Sequence, residues 1–322
     1  MTTDKNTPFS DVLESLFEDA SLPIQLLYRL SDMTAEQITQ FVERWPDVGE
    51  ERRRVIVRHL ADLSETNFIV DFLPVFAHCI QHDPAPSVRI AALDGVWDAT
   101  GTGLIDPIIR LLQQDGDVDV RAAAAAALAH YVLFAEWGQL PQWVLSRVVT
   151  ALLAELDDLN APVPVRRAVL EAVASASHPR IPALIESAYE DIDLGMQLSA
   201  VFAMGSSADS RWLPILMDEM ESEMGEMRAE AARAAGAIGD EQALPQLAEL
   251  VGDEDTDVAL AAVTALGQLG GERAYELLAQ FAEDPELELL HDAVDEALEE
   301  IGWLQGELTI LAIPDADGPE ED

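Results

Sequence analysis

The chain has 322 residues and a formal net charge of −43, from 61 acidic against 18 basic residues, so its surface repels nucleic-acid phosphates and anionic lipid. Its one cysteine, Cys79, has no partner for an internal disulfide and fits a reducing compartment. Apolar residues make up 49% of the chain but aromatics only 6%, so the core must be built from Ala, Leu, Val and Ile.

Residues 1–8 read as a disordered start without the basic and then apolar run of a signal peptide, which points to the cytoplasm. Apolar spacing predicts helices within Phe9–Leu30 and Thr34–Trp45, the second closed by Pro46, so that 1–48 form a tail and a helical cap. Glu50–Leu63 reads as a helix with Val55, Ile56, Leu60 and Leu63 inward and Arg52, Arg53 and Arg58 outward. From Ile69 helices come in pairs. The first of each pair begins near a proline (Pro74, Pro107, Pro182, Pro214, Pro245), where a missing N–H costs nothing. A turn rich in Asp and Gly follows, then a second helix, expected to end at a left-handed glycine: Gly101, Gly205, Gly239 or Gly270. Leu111 and Leu247 are expected inside. The apolar run Ala122–Ala135 is interrupted by His130 and falls short of the roughly 18 residues that span a bilayer. An aromatic insertion is placed near 131–143. The pairs extend over 49–304, and 305–322 hold the apolar hexapeptide Leu308–Ile313 and a disordered acidic tail.

The second helices share a phase. Val88-Arg89, Val120-Arg121, Val165-Arg166, Met196-Gln197, Met227-Arg228 and Val258-Ala259 recur at intervals near 31 residues, except that Arg121 to Arg166 spans 45. Such self-similarity is the signature of a solenoid of helical pairs. With Pro107, Asp115 and Val120-Arg121 in one unit, and Pro245, Asp253 and Val258 repeating that spacing, the residues resemble HEAT repeats of the short bacterial variety shared with phycobilisome-lyase-like proteins. The resemblance is best over Ile105–Val132. It implies an all-α fold: a right-handed α-α superhelix of about seven helix pairs with N- and C-terminal caps. It also implies a ladder of hydrogen-bonded charges between units, with Asp115 and Arg121 as rungs and Asp83 and Arg89 alongside them. Gln197 and Ala259 depart from that pattern.

Ligand-like constellations are few. Iron-dependent hydroxylases within the wider family use His-Glu dipeptides; here His59, His78, His82, His130, His178 and His291 precede Leu, Cys, Asp, Tyr, Pro and Asp. His78-Cys79-x-x-His82 lacks the further ligands of a tetrahedral zinc site, and a buried cysteine between surface histidines is the expected arrangement. The turn clusters Asp253–Asp257, Asp157-Asp158 and Glu283-Asp284 lack the register of an EF-hand loop. No catalytic, metal or cofactor residue is therefore assigned, and no cofactor is expected.

The expectation is a non-catalytic scaffold or adaptor that docks another protein along the concave face. From Asp218 onward 30 acidic residues face three arginines, which suits a basic partner and excludes nucleic acid and membrane as partners. The candidate contacts on the second helices are Arg167, Glu171, Glu230, Arg233, Thr264, Gln268, Asp292 and Asp295, with Trp137 and Trp143 of the insertion as a second patch. The resemblance leaves open a phycobilin lyase-like or other small-ligand-binding protein, with Trp137, Trp143, Tyr131 and Arg147 near the ligand. Nucleic-acid binding would rest on Arg52-Arg53-Arg54 and Arg58 alone.

Overall fold

The computed structural model describes residues 7–67, 69–158 and 160–311. Every regular element among them is helical, and the chain divides into two compact units at Ser177/His178. The first unit opens with α1 (Phe9–Glu18), the short α2 (Ile24–Leu27), α3 (Ala35–Arg44) and α4 (Glu50–Thr66). Three hairpins follow: α5 (Leu73–His82) with α6 (Pro86–Asp94), α7 (Ile105–Gln114) with α8 (Val118–Glu136), and α9 (Gln142–Asp157) with α10 (Val163–Val173). The second unit holds four: α11 (Ile181–Tyr189) with α12 (Leu194–Ser206), α13 (Leu213–Glu219) with α14 (Gly225–Ile238), α15 (Leu244–Leu250) with α16 (Thr256–Leu269), and α17 (Gly271–Ala282) with α18 (His291–Leu311). Second helices stack side by side, α4 on α6 on α8 on α10 in one unit and α12 on α14 on α16 on α18 in the other.

Local chemistry sets these boundaries. Proline occupies the first turn of α5, α11, α13 and α15, where backbone donors have no intrahelical partner. Thr34 and Gln37 close a reciprocal capping box on α3. In the D-x-D turns the second aspartate caps the second helix: Asp117 accepts from the amides of Asp119 and Val120, Asp193 from Met196, and Asp255 from Asp257. Much of the acidity at turns is thus accounted for by helix starts.

Glycine does two different jobs, and the structure corrects the expected caps. Gly239 does end α14 in the left-handed region at φ 72°, and Gly270 has φ 66°. Gly205, however, lies inside α12, and Gly101 is extended at φ −71° before a 3₁₀ turn. Gly205, Gly236 and Gly267, each 31 residues from the next, are where neighbouring second helices touch. A Cβ on Gly205 would sit 2.6 Å from Ala234 Cα, one on Gly236 2.6 Å from Ala265 Cα, and one on Gly267 2.9 Å from Ala297 Cβ. Gly236→Ala is therefore expected to destabilise by roughly 1–3 kcal/mol or more, because rigid backbone must move. Gly239→Ala meets open space and is expected to cost only about 1 kcal/mol of left-handed strain. Chemical denaturation of the two variants checks this; the reverse order would refute the seam.

The lengthened repeat is not a loop. The surplus extends α8 to 19 residues and α9 to 16, joined by 137–141. Tyr131 lies fully buried, its hydroxyl donating to the Gly101 carbonyl at 3.2 Å. His130 does not interrupt the helix, as its Nε2 finds the Ala99 carbonyl at 3.0 Å. By length and composition α8 therefore reaches membrane-spanning size, against the expectation. In this unit it packs on α6, α7, α9 and α10. At the C-terminus the helix runs on through Leu311, so residues 308–311 continue α18. Residues 1–6 and 312–322, with most of the expected disordered tails, lie outside the described residues.

Candidate functional site

The arginines that open the second helices set the frame of this surface. Three of them, Arg89, Arg121 and Arg228, reach two ways: back to a carbonyl of their own hairpin and forward to an acid near the end of the next first helix. Arg89 donates to the carbonyls of Asp83 (2.9 Å) and Pro84 (3.0 Å) and to Asp115 at 2.9 Å. Arg121 donates to the Leu112 carbonyl at 2.9 Å and to Glu155 at 2.7 Å. Arg228 donates to the Ser222 carbonyl at 2.9 Å and grips Asp253 with two bonds of 2.8 Å, which hold the Asp253 carboxyl below its usual pKa. So Asp115 pairs with Arg89 rather than Arg121, and Glu155 serves as the next rung because α9 is longer. Gln197 keeps only the backward bond, to the Asp191 carbonyl at 2.8 Å.

One rung is buried. Arg53 was expected to point outward, yet it lies buried against Asp83, with Nη2 at 3.2 Å from Oδ1 and Nε at 3.0 Å from Oδ2. Trp45 Nε1 donates to the same carboxylate at 2.8 Å. The physical reason is phase: Arg53 occupies on α4 the place that Arg89 occupies on α6. Beside it Cys79 is buried, and burial together with the Asp83 charge pushes its thiol pKa far up, so it stays protonated. His78 is half-buried and stacks near His82 at 5.3 Å between ring centroids. No group of three or more His, Cys, Asp or Glu among the described residues is placed to hold a metal.

The expected contact residues fall in both units. Arg167 and Glu171 are on α10 of the first; Glu230 and Arg233 on α14, Thr264 and Gln268 on α16, and Asp292 and Asp295 on α18 are in the second. Arg233, Thr264 and Asp295 recur every 31 residues and stand exposed on three adjacent helices, and Gln268 and Asp292 are exposed on two of them. Arg167, Glu171 and Glu230 are half-buried rather than solvent-facing, because long side chains lie along their helices. Glu230 also receives Arg233 at 3.0 Å, one turn away. Trp137 and Trp143 are 63% and 54% exposed, so neither is covered by its own loop. Arg147 lies on the surface, paired with Asp106 at 2.9 Å, and Tyr131 is in the core.

A concavity that sequence reasoning passed over lies in the first unit between α4, α6 and α8. It measures about 480 Å³ and has a floor of alanines (Ala61, Ala91, Ala123, Ala127). Arg58, Asp62, Glu65, Asp94, Trp97 and His130 stand around it. Asp94 opens to solvent at its edge, yet the walls crowd its carboxyl. Burial raises its pKa, the Arg58 guanidinium opposes that, and the Glu65 carboxylate adds to it. Arg58 and Asp94 each stand five residues after Arg53 and Arg89, the position that Arg233 holds after Arg228. That count from each inward arginine is the signal by which the groove could have been found.

Burial holds the His130 pKa below its ordinary value, against the pull of the Ala99 carbonyl, and lowers that of His78, where His82 adds. A depressed folded pKa means the unfolded chain takes up its proton first. The stability these histidines contribute is thus full above the unfolded value and lost as pH falls through it. Unfolding free energy should decline between about pH 7 and 5, and His130→Gln should flatten that decline. An unchanged slope in the variant would show that His130 titrates normally.

Residues 213–299 match the family model of HEAT repeats. The matched stretch runs from α13 into α18 of the second unit and does not include Ile105–Val132, whose second helix α8 is lengthened. No curated protein matches the chain significantly. Among solved structures, human deoxyhypusine hydroxylase in complex with glycerol is 17% identical, with 92% of this chain and 96% of that one covered and a TM-score of 0.36. The Escherichia coli protein YibA is 16% identical over 88% and 98%, TM-score 0.46. Kap95p, whose binding induces the switch loops of RanGDP to adopt the GTP-bound conformation, is 15% identical over 91% of this chain and 50% of its own, TM-score 0.36. Likenesses at this level carry no argument about function.

Proposed function

We propose that this protein is a non-catalytic interaction scaffold that docks a basic protein partner on its second-helix faces. One observation carries the reading. In the second unit the cationic groups are already engaged, Arg228 by Asp253 and Arg233 by Glu230, while Asp257, Asp292, Asp295, Glu296 and Glu299 stand exposed on α16 and α18. A row of carboxylates on adjacent helices steers and holds a cationic surface. Trp137 and Trp143, exposed in the first unit, are a second place for contact. On this reading the chain is cytoplasmic and of the short, bacterial, phycobilisome-lyase-like subtype, supported by its 31-residue spacing and its buried free thiol. Affinity capture with the full chain tests it. A stoichiometric partner should be retained and released as salt rises. Capture indifferent to salt would remove the electrostatic part, and turnover of a substrate by the purified chain would remove the whole.

A further inference from the structure

The groove between α4, α6 and α8 is a shaped part of the acidic surface. Its volume, about 480 Å³, is that of an ordinary ligand pocket and is roomy enough for a side chain with its flanking backbone. Alanines line the groove, and Ala61, Ala91 and Ala127 among them are buried in the seam between second helices. Trp97, 39% exposed, stands at the wall, and Asp62, Glu65 and Asp94 set three carboxylates against the single guanidinium of Arg58. His130 adds no charge at neutral pH, since burial keeps its imidazole unprotonated.

We propose that this groove receives an arginine side chain from a basic segment of the partner protein, its guanidinium lying on the Trp97 indole and bonded by Asp62, Glu65 and Asp94. Charge complementarity selects a cation, and the exposed indole of Trp97 selects a planar one. Guanidinium stacks on an aromatic face and offers a fork to carboxylates; an ammonium does neither as well. The same carboxylates turn away phosphate, so nucleic acid and anionic lipid are not occupants. This site rests on the scaffold reading and names the contact it makes in the first unit.

The test uses the full chain with 15N-labelled tryptophan indoles, the Trp97 signal assigned through Trp97→Phe. The probe is the peptide acetyl-Gly-Gly-Arg-Gly-Gly-amide, with citrulline in place of arginine as its neutral control. The Trp97 signal should move to saturation with the arginine peptide while those of Trp137 and Trp143 stay still. The variant Glu65→Gln/Asp94→Asn, altered at two exposed positions, should bind roughly tenfold more weakly with an unchanged melting curve. Equal shifts with citrulline, equal movement of all indoles, or undiminished affinity in the variant would overturn the groove. If the variant binds the arginine peptide as tightly as wild type while wild-type capture of a partner stays salt-dependent, the groove fails alone. If wild-type capture itself shows no salt dependence, the scaffold reading fails whatever the groove does.

Discussion

Asp83→Ala is expected to lower the unfolding free energy by about 3–5 kcal/mol. Asp83 lies fully enclosed and is the shared acceptor for three donors: the Arg53 guanidinium, the Trp45 indole at 2.8 Å and the Ala85 amide at 3.0 Å. Removing it leaves a buried cation whose remaining bond is to the Val48 carbonyl at 2.6 Å. The indole and the amide lose their partner at the same time, so α4, α5 and the start of α6 loosen together. A surface pair gives the contrast. Glu51→Ala removes an ion pair to Arg54 that is open to water, and its loss is expected to leave the unfolding free energy nearly unchanged. Denaturant titration of both variants decides the matter; equal small losses would mean that water reaches Asp83.

Leu247→Ala is expected to cost about 2–5 kcal/mol. Leu247 is wholly buried in α15, where its side chain fills the hairpin with α16. Leu111, expected from the sequence to be equally interior, is only half-buried, and the enclosed leucine at that end of α7 is Leu112. Leu112→Ala should therefore behave like Leu247→Ala, and Leu111→Ala should cost clearly less. Because the chain has two compact units, hydrogen exchange should accompany denaturation so that each loss is assigned to its own unit. Equal costs for Leu111 and Leu112 would show that the register of α7 is one residue off.

The repeat phase was legible because Val-Arg marks a physical junction: the valine enters the core and the arginine bridges turns. Hence second helices open at a fixed distance from the pattern, two residues before Val88, Val120 and Met227. What was misread came from local reasoning about features that are fixed by neighbours. Gly205 looks like a cap because it follows Met204 near a helix end, yet its period with Gly236 and Gly267 is that of a helix-to-helix contact. Arg53 looks solvent-facing beside Arg52 and Arg54, and only its phase with Arg89 turns it inward. The groove was passed over because Arg58 lies on α4, Asp94 and Trp97 at the end of α6 and His130 on α8, so that they form no motif in any one stretch.

The claim beneath this account is that carboxylates on the second helices, not acidity in general, hold the partner. The affinity of the captured partner for two charge-reversed chains measures it most directly. Asp292→Lys/Asp295→Lys alters exposed positions on α18, and Glu272→Lys/Glu276→Lys makes the same change of charge at exposed positions on α17. The account predicts that the first weakens binding by roughly tenfold or more while the second stays within about twofold of wild type. Equal loss in both would reduce the interaction to net charge, and no loss in the first would place the partner elsewhere.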